Sequence, residues 1–117
     1  MRCVVHGHRR YRALAGSGAL DESGAAIWHV GLIHGSIAIP NKTDRDEVVI
    51  TTDEIAASGL DYLALGHVHL HQQYRHGETL ACYPGVCLPY NPRHPGCITI
   101  VDLVPGEDAN AYAWTLP

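Results

Sequence analysis

Phenylalanine is absent from the 117-residue chain, so two tryptophans and six tyrosines supply all the aromatic bulk of any core. A basic excess is missing too. Eight Lys and Arg stand against twelve Asp and Glu, a formal net charge of −4. Proteins that hold nucleic acid by charge alone carry the opposite balance, so the composition gives no support to autonomous DNA binding. The one dense basic stretch, His8-Arg9-Arg10-Tyr11-Arg12, reads as a solvated turn. No apolar run approaches the roughly 18 residues of a membrane span, and Met1 to His6 holds no apolar stretch of secretory-signal length. The expectation is a cytoplasmic protein without membrane contact. Cys3, Cys82, Cys87 and Cys97 contain no CxxC pair, which argues against a cysteine zinc site. Reduced thiols acting as small core residues are expected.

What is present is a globular composition, 46% apolar and rich in Val, Ile, Leu and Ala, together with nine histidines. The length suits one domain or part of one. Arg2 to His6 reads as a short strand, and a polar, Gly-rich connection follows from Ala15 to Gly24. Ala25 to Ile33 is nearly continuous in apolar character, the pattern of a strand buried on both faces. It ends in His34-Gly35, and a loop runs through Pro40 to Asp46. Thr51-Thr52-Asp53-Glu54 is a helix start. Thr51 caps, Glu54 reaches back as a capping box, and Gly59 stops the helix in the left-handed conformation. Asp61 to Leu65 reads as a strand delivering Gly66-His67-Val68-His69. Then come His71 to Arg75 and Thr79 to Tyr83 around a hairpin tip at His76-Gly77-Glu78. Turns follow at Pro84-Gly85 and Pro95-Gly96, and Cys97 to Leu103 and Ala111 to Leu116 read as a final strand pair. The fold class is α/β with strands dominating.

The histidines carry the chemistry. On a strand, residues two apart share a face about 6.6–6.8 Å apart along the chain, so His67 and His69 are expected to project into one space. Gly66 frees the backbone ahead of them. Such a pair suits one metal held by both rings, or two metals about 3.5–4 Å apart with one ring each. It also suits ordinary polar residues on a wet strand end. The context favours a site, because a second buried strand also ends in a histidine followed by glycine, His34-Gly35, and strand ends are where α/β folds place their sites.

The stretch Gly59-Leu60-Asp61-Tyr62-Leu63-Ala64-Leu65-Gly66-His67-Val68-His69 resembles the last metal motif of the calcineurin-like metallophosphoesterases, Gly-His-x-His. Its lead-in is most similar to the SbcD-type DNA-repair exonuclease branch. Gly31-Leu32-Ile33-His34-Gly35 resembles the preceding motif of that family, and Cys82-Tyr83-Pro84-Gly85 its Tyr-Pro-Gly segment. The similarity runs from about Trp28 to Leu103. The resemblance implies a four-layer α/β/β/α sandwich, of which residues 1–117 would be the C-terminal portion. It also implies two divalent ions, usually Mn²⁺, with His34 and His67 on one and His69 on the other. His71, Gly66 and Gly35 are candidates to support those ligands. Phosphodiester hydrolysis, a DNA substrate and an SMC-like ATPase partner are further implications.

The family's Asp-x-His, Gly-Asp and Gly-Asn-His-Asp motifs do not occur in the chain. His6-Gly7-His8 lacks the carboxylate of the first, so neither histidine is a candidate ligand. The expectation is therefore an incomplete domain, inactive by itself or completed within a homo-oligomer. Two other readings stand beside it. A cupin-like metal domain also uses His-x-His on a strand, but Gln72, Gln73 and Tyr74 occupy the stretch where it needs a glutamate. A non-catalytic module, whose histidines bind one metal or none, needs no upstream aspartates. His29 is expected to be a hydrogen-bonded core residue, and His76 and His94 belong to no motif.

Overall fold

In a computed structural model, residues 3–8 are described as backbone and residues 28–38, 48–88 and 96–115 with their side chains. The loops at Ala15–Gly24 and Pro40–Asp46, the run Ala25–Ile27, the turn residue Pro95 and His94 lie outside the described residues.

The short helix forms where the capping box specifies it. Helix α1 spans Thr52–Ala57; the Thr51 hydroxyl accepts from the Glu54 N–H, and the Glu54 carboxylate accepts from the Thr51 N–H. Asp53 and Glu54 sit in its first turn, the favourable end of the helix dipole. Gly59 follows with φ +70°, as a helix stop requires.

The strands are β1 (Cys3–His8), β2 (Trp28–His34), β3 (Ser36–Ile37), β4 (Val49–Ile50), β5 (Tyr62–Gly66), β6 (His71–His76), β7 (Thr79–Pro84), β8 (Cys97–Asp102) and β9 (Asn110–Thr115). Five of them form one mixed sheet in the order β1-β2-β5-β7-β6, with β6 antiparallel to β7 and the other neighbours parallel. Strands β3 and β4 pair in parallel, and β8 and β9 form an antiparallel hairpin.

Strand alternation divides the apolar residues between two cores. Leu63 and Leu65 of β5 and Ala81 and Tyr83 of β7 join Ile55 of α1, Leu60, Ile33, Ile37 and Ile50 on one face. Tyr62, Leu80 and Cys82 join Ala109 and Ala111 on the other, with Val30, Ala64, Val101 and Leu103 packed around them. The described residues thus make three layers: helix, sheet, hairpin. Strands β5 and β7, central and covered on both faces, are almost wholly buried. Strand β2 departs from the expectation of burial on both faces, because Leu32 is 46% exposed. Among the described residues, the second core reaches β2 only at Val30, and Leu32 lies beyond it.

The second core has a polar seam that docks the hairpin. Gln73 donates to the Ala111 carbonyl at 2.6 Å, Arg75 donates to the Ala109 carbonyl at 2.6 Å, and the His71 ring bonds Thr99 Oγ1 at 3.1 Å. Cys82 is fully buried beside it, as expected of a core thiol, whereas Cys97 is half-buried and Cys87 is exposed. Cys87 corrects the expectation for the cysteines: it follows the turn after β7, past the end of that strand and outside both described cores. All three are free thiols. Burial pushes the Cys82 thiol above its ordinary value, against the opposing pull of bonds to Thr99 and Tyr62. Tyr62 is raised as well, chiefly by burial.

Both the helix cap and the buried thiol can be tested through stability. Thr51→Ala removes the cap and should lower the unfolding free energy by about 1 kcal/mol in urea titration; an unchanged midpoint would mean α1 is held by packing alone. The folded state holds the Cys82 and Tyr62 protons more tightly than the unfolded chain does. Their contribution is complete below the ordinary thiol pKa of about 8.5 and is lost as pH rises toward the folded values. Stability should therefore decline above that pH, and Cys82→Ala should flatten the first part of the decline.

Candidate functional site

The site begins with the register between β2 and β5. Asp61 fixes it: its carboxylate accepts from the His29 N–H at 2.8 Å, and its own N–H donates to the His29 carbonyl at 2.9 Å. From that anchor, Val30 pairs with Tyr62, and His34 falls opposite Gly66. Gly66 leaves room for the His34 ring, since a Cβ would lie 3.0 Å from His34 Nδ1, tight enough that the exposed imidazole would have to shift. Gly35 is constrained more severely, since its Cβ would approach the Val48 carbonyl oxygen to 2.7 Å.

At His67 the two strands part. Strand β5 ends at Gly66, and His67 adopts φ +116°, the one positive φ at a non-glycine among the described residues. Such a conformation costs about 1–3 kcal/mol and persists only where the surroundings impose it. Val68 packs against the first core, while His67 and His69 on either side of it are exposed. The strand ends just before the histidines, as expected of Asp61 to Leu65, but the alternation expected to hold through His67 and His69 stops with it. The parting brings the rings of His34 and His67 together, with centroids 5.4 Å apart and planes at 79°.

Across the opening, the continuing chain is held on both sides. The Gly35 N–H donates to the Gly66 carbonyl at 3.1 Å, the last rung of the β2–β5 ladder. Ser36 and Ala38 donate to the Val48 and Ile50 carbonyls at 2.7 and 2.8 Å. The buried Tyr83 hydroxyl donates to the Gly35 carbonyl at 2.7 Å and accepts from the Ile37 N–H at 2.9 Å. Sequence reasoning missed Asp61, and it placed Tyr83 at the rim of the site without its hydrogen-bond partners. The Leu-Asp-Tyr and Tyr-Pro-Gly segments marked their neighbourhoods but not their partners.

No family model matches the chain. Two proteins of Bacillus subtilis (strain 168) do resemble it. An uncharacterized metallophosphoesterase, YhaO, is 35% identical over 60 residues, covering 51% of this chain and 14% of that protein. One of the subunits of nuclease SbcCD is 34% identical over 86 aligned residues, covering 65% of this chain and 22% of the nuclease protein. Over part of its length the chain is thus similar in sequence to a metallophosphoesterase and to a nuclease subunit. It spans less than a quarter of the length of either relative.

The His34–His67 pair brings two nitrogen-donor side chains to the opening. Two imidazoles at one opening fit the nitrogen side of a metal centre. Among the described residues, no group of three or more His, Cys, Asp or Glu side chains is arranged to hold an ion, so His69 is not drawn into a triad with the pair. His71 is engaged elsewhere: one ring nitrogen bonds Thr99 Oγ1 at 3.1 Å and the other the Gln73 amide nitrogen at 3.0 Å. His29 departs from the expected hydrogen-bonded core residue. Its ring is half-buried, and Nδ1 is buried with no hydrogen-bond partner among the described residues.

The positive φ at His67 makes a comparison of variants informative. His67→Gly removes the backbone strain while His67→Ala keeps it, so the glycine variant should be the more stable by about 1 kcal/mol or more. Equal stabilities by thermal or urea unfolding would mean that His67 is unstrained.

Proposed function

We propose that residues 1–117 are the C-terminal portion of a metal-dependent phosphoesterase domain acting on phosphodiesters, with DNA as the substrate class. The observation that carries this reading is the His34–His67 pair at the opening between β2 and the end of β5, in a chain related to a metallophosphoesterase and to a nuclease protein. His34 and His67 are the ligands of one divalent ion and His69 of a second. Mn²⁺ is the metal to try first, with a cytoplasmic setting and an SMC-like ATPase as the partner class. Bound divalent ions supply charge neutralisation at the phosphoryl oxygens and a nucleophile at neutral pH. The chain's own residues hold and orient the imidazoles: Gly66 leaves room for the His34 ring, and Asp61 fixes the register that faces it toward His67. Carboxylate ligands and the remaining layers of a four-layer sandwich would come from outside the described residues or from a second copy. The outer face of the β8–β9 hairpin supports a further layer, since Ile98, Tyr112 and Trp114 are exposed there.

A second reading, a metal-binding module without catalysis, rests on the same pair. Two imidazoles with centroids 5.4 Å apart can share one ion without the carboxylates that a two-metal centre requires. Among the described residues, no helix is long and apolar enough to cross a membrane.

The decisive experiment is Mn²⁺-dependent hydrolysis of a simple phosphodiester by the purified chain, with His69→Ala as control, alongside direct Mn²⁺ titration. His67→Ala and His69→Ala should each abolish tight Mn²⁺ binding, and His94→Ala should leave it intact. Hydrolysis lost in the control assigns catalysis to this site. Stoichiometric binding without hydrolysis assigns the module. Equal binding by all three variants would refute the site.

A further inference from the structure

We infer that Tyr83 is a positioning residue for the histidine pair: its hydroxyl stands in for the strand that β5 ceases to provide at His67. In the parallel β2–β5 ladder, His34 pairs with Gly66, and the Gly35 N–H takes the Gly66 carbonyl at 3.1 Å. Had β5 run on, Val68 would lie opposite Ser36. Its N–H would serve the Gly35 carbonyl, and its carbonyl would serve the Ile37 N–H. The Tyr83 hydroxyl fills both roles, donating to the Gly35 carbonyl at 2.7 Å and accepting from the Ile37 N–H at 2.9 Å. One side-chain atom thus completes two rungs of a ladder whose third strand has turned away.

The substitution solves a specific problem. Gly35 and Ile37 are buried, so without Tyr83 a carbonyl and an N–H would lack these hydrogen bonds away from water. The backbone would then have two ways to recover. Chain 35–37 could shift toward β4, or the Val68 segment could close against it and draw His67 back into the ladder. Either movement alters the spacing of the two rings. Tyr83 prevents both from a fixed position. It lies on β7, is 2% exposed, and its ring sits edge-on against Tyr74 with centroids 6.4 Å apart. Strand β7 reaches β2 only across β5, so the hydroxyl spans the sheet beyond the end of β5.

The metal-affinity part of the test rests on the metal-centre reading; the ring-geometry part does not. Tyr83→Phe keeps the buried ring and removes both hydrogen bonds. Thr79→Val serves as a matched control, because it also deletes a buried hydroxyl, one that donates to the Leu60 carbonyl at 2.6 Å away from the opening. By NMR, Tyr83→Phe should abolish the His34–His67 ring contacts and speed amide exchange at Ile37 at least tenfold, whereas Thr79→Val should change neither. Mn²⁺ affinity should fall about 10-fold or more in Tyr83→Phe, the range seen when a residue that orients a metal ligand is lost, and stay level in Thr79→Val. Ring contacts surviving in Tyr83→Phe, or equal losses in both variants, would overturn the inference. Lost ring contacts in a chain that binds no Mn²⁺ at all would uphold it and sink the metal reading instead. Should Tyr83→Phe fail to fold, the unsubstituted chain still decides the matter: a fast-exchanging Ile37 N–H would refute the bond on which the inference stands.

Discussion

The pairing of β2 with β5, and its end at His67, is the constraint on which the rest of the site depends. A parallel pair needs its register pinned, because a slip of one residue turns every side chain to the opposite face. Asp61 supplies the pin by exchanging two hydrogen bonds with the His29 backbone at the start of the ladder. Five positions further on, the same register sets His34 against a glycine rather than against a side chain. The ring therefore has room above the strand and turns toward His67. Strain at His67 then becomes intelligible. The core holds Val68 on one side of the turn while the ladder holds Gly66 on the other, and the backbone between them has little choice.

Much of this fold was legible in the sequence because its signals are local. The capping box at Thr51 and Glu54, the left-handed Gly59, the hairpin tip at Gly77 and the two closing strands all depend on residues within a few positions of one another. Long-range partners were not legible. Nothing near Asp61 says that its carboxylate meets the His29 amide 32 residues away, and nothing near Tyr83 says that its hydroxyl meets Gly35 and Ile37. Period-two alternation also misled at the point that mattered. It carried His67 and His69 forward on one strand face, whereas the strand stops at Gly66, and a core-packed Val68 separates two exposed histidines. Burial of β2 was overestimated for a related reason. An apolar run reports the tendency to be covered, but the covering hairpin extends only as far as Val30.

The two faces of the sheet have different work. One is hydrocarbon almost throughout, and it is this face, through Ile33, Leu63, Leu65 and Tyr83, that supports the opening. The other joins the hairpin through a polar seam of His71, Gln73, Arg75 and Thr99 around a buried thiol. Directional bonds of that kind fix where the hairpin sits more tightly than apolar contact does. His71 is fully employed in this seam, with both ring nitrogens bonded. It is thus committed to the seam despite its closeness in sequence to His67 and His69.

The histidine pair itself contributes little to folding. His34 and His67 are exposed, neither belongs to a core cluster, and His67 holds a backbone conformation that a glycine would adopt at lower cost. What surrounds them is, by contrast, strongly constrained. Gly35 cannot carry a Cβ without meeting the Val48 carbonyl, Gly66 cannot without crowding His34, and Tyr83 is buried with both its bonds on the adjoining backbone. A fold that needed only stability would place a glycine at position 67 and leave position 34 to any polar residue. Keeping an imidazole at a strained position, opposite another imidazole, within a frame of constrained backbone, is a departure from local optimality that packing alone does not call for.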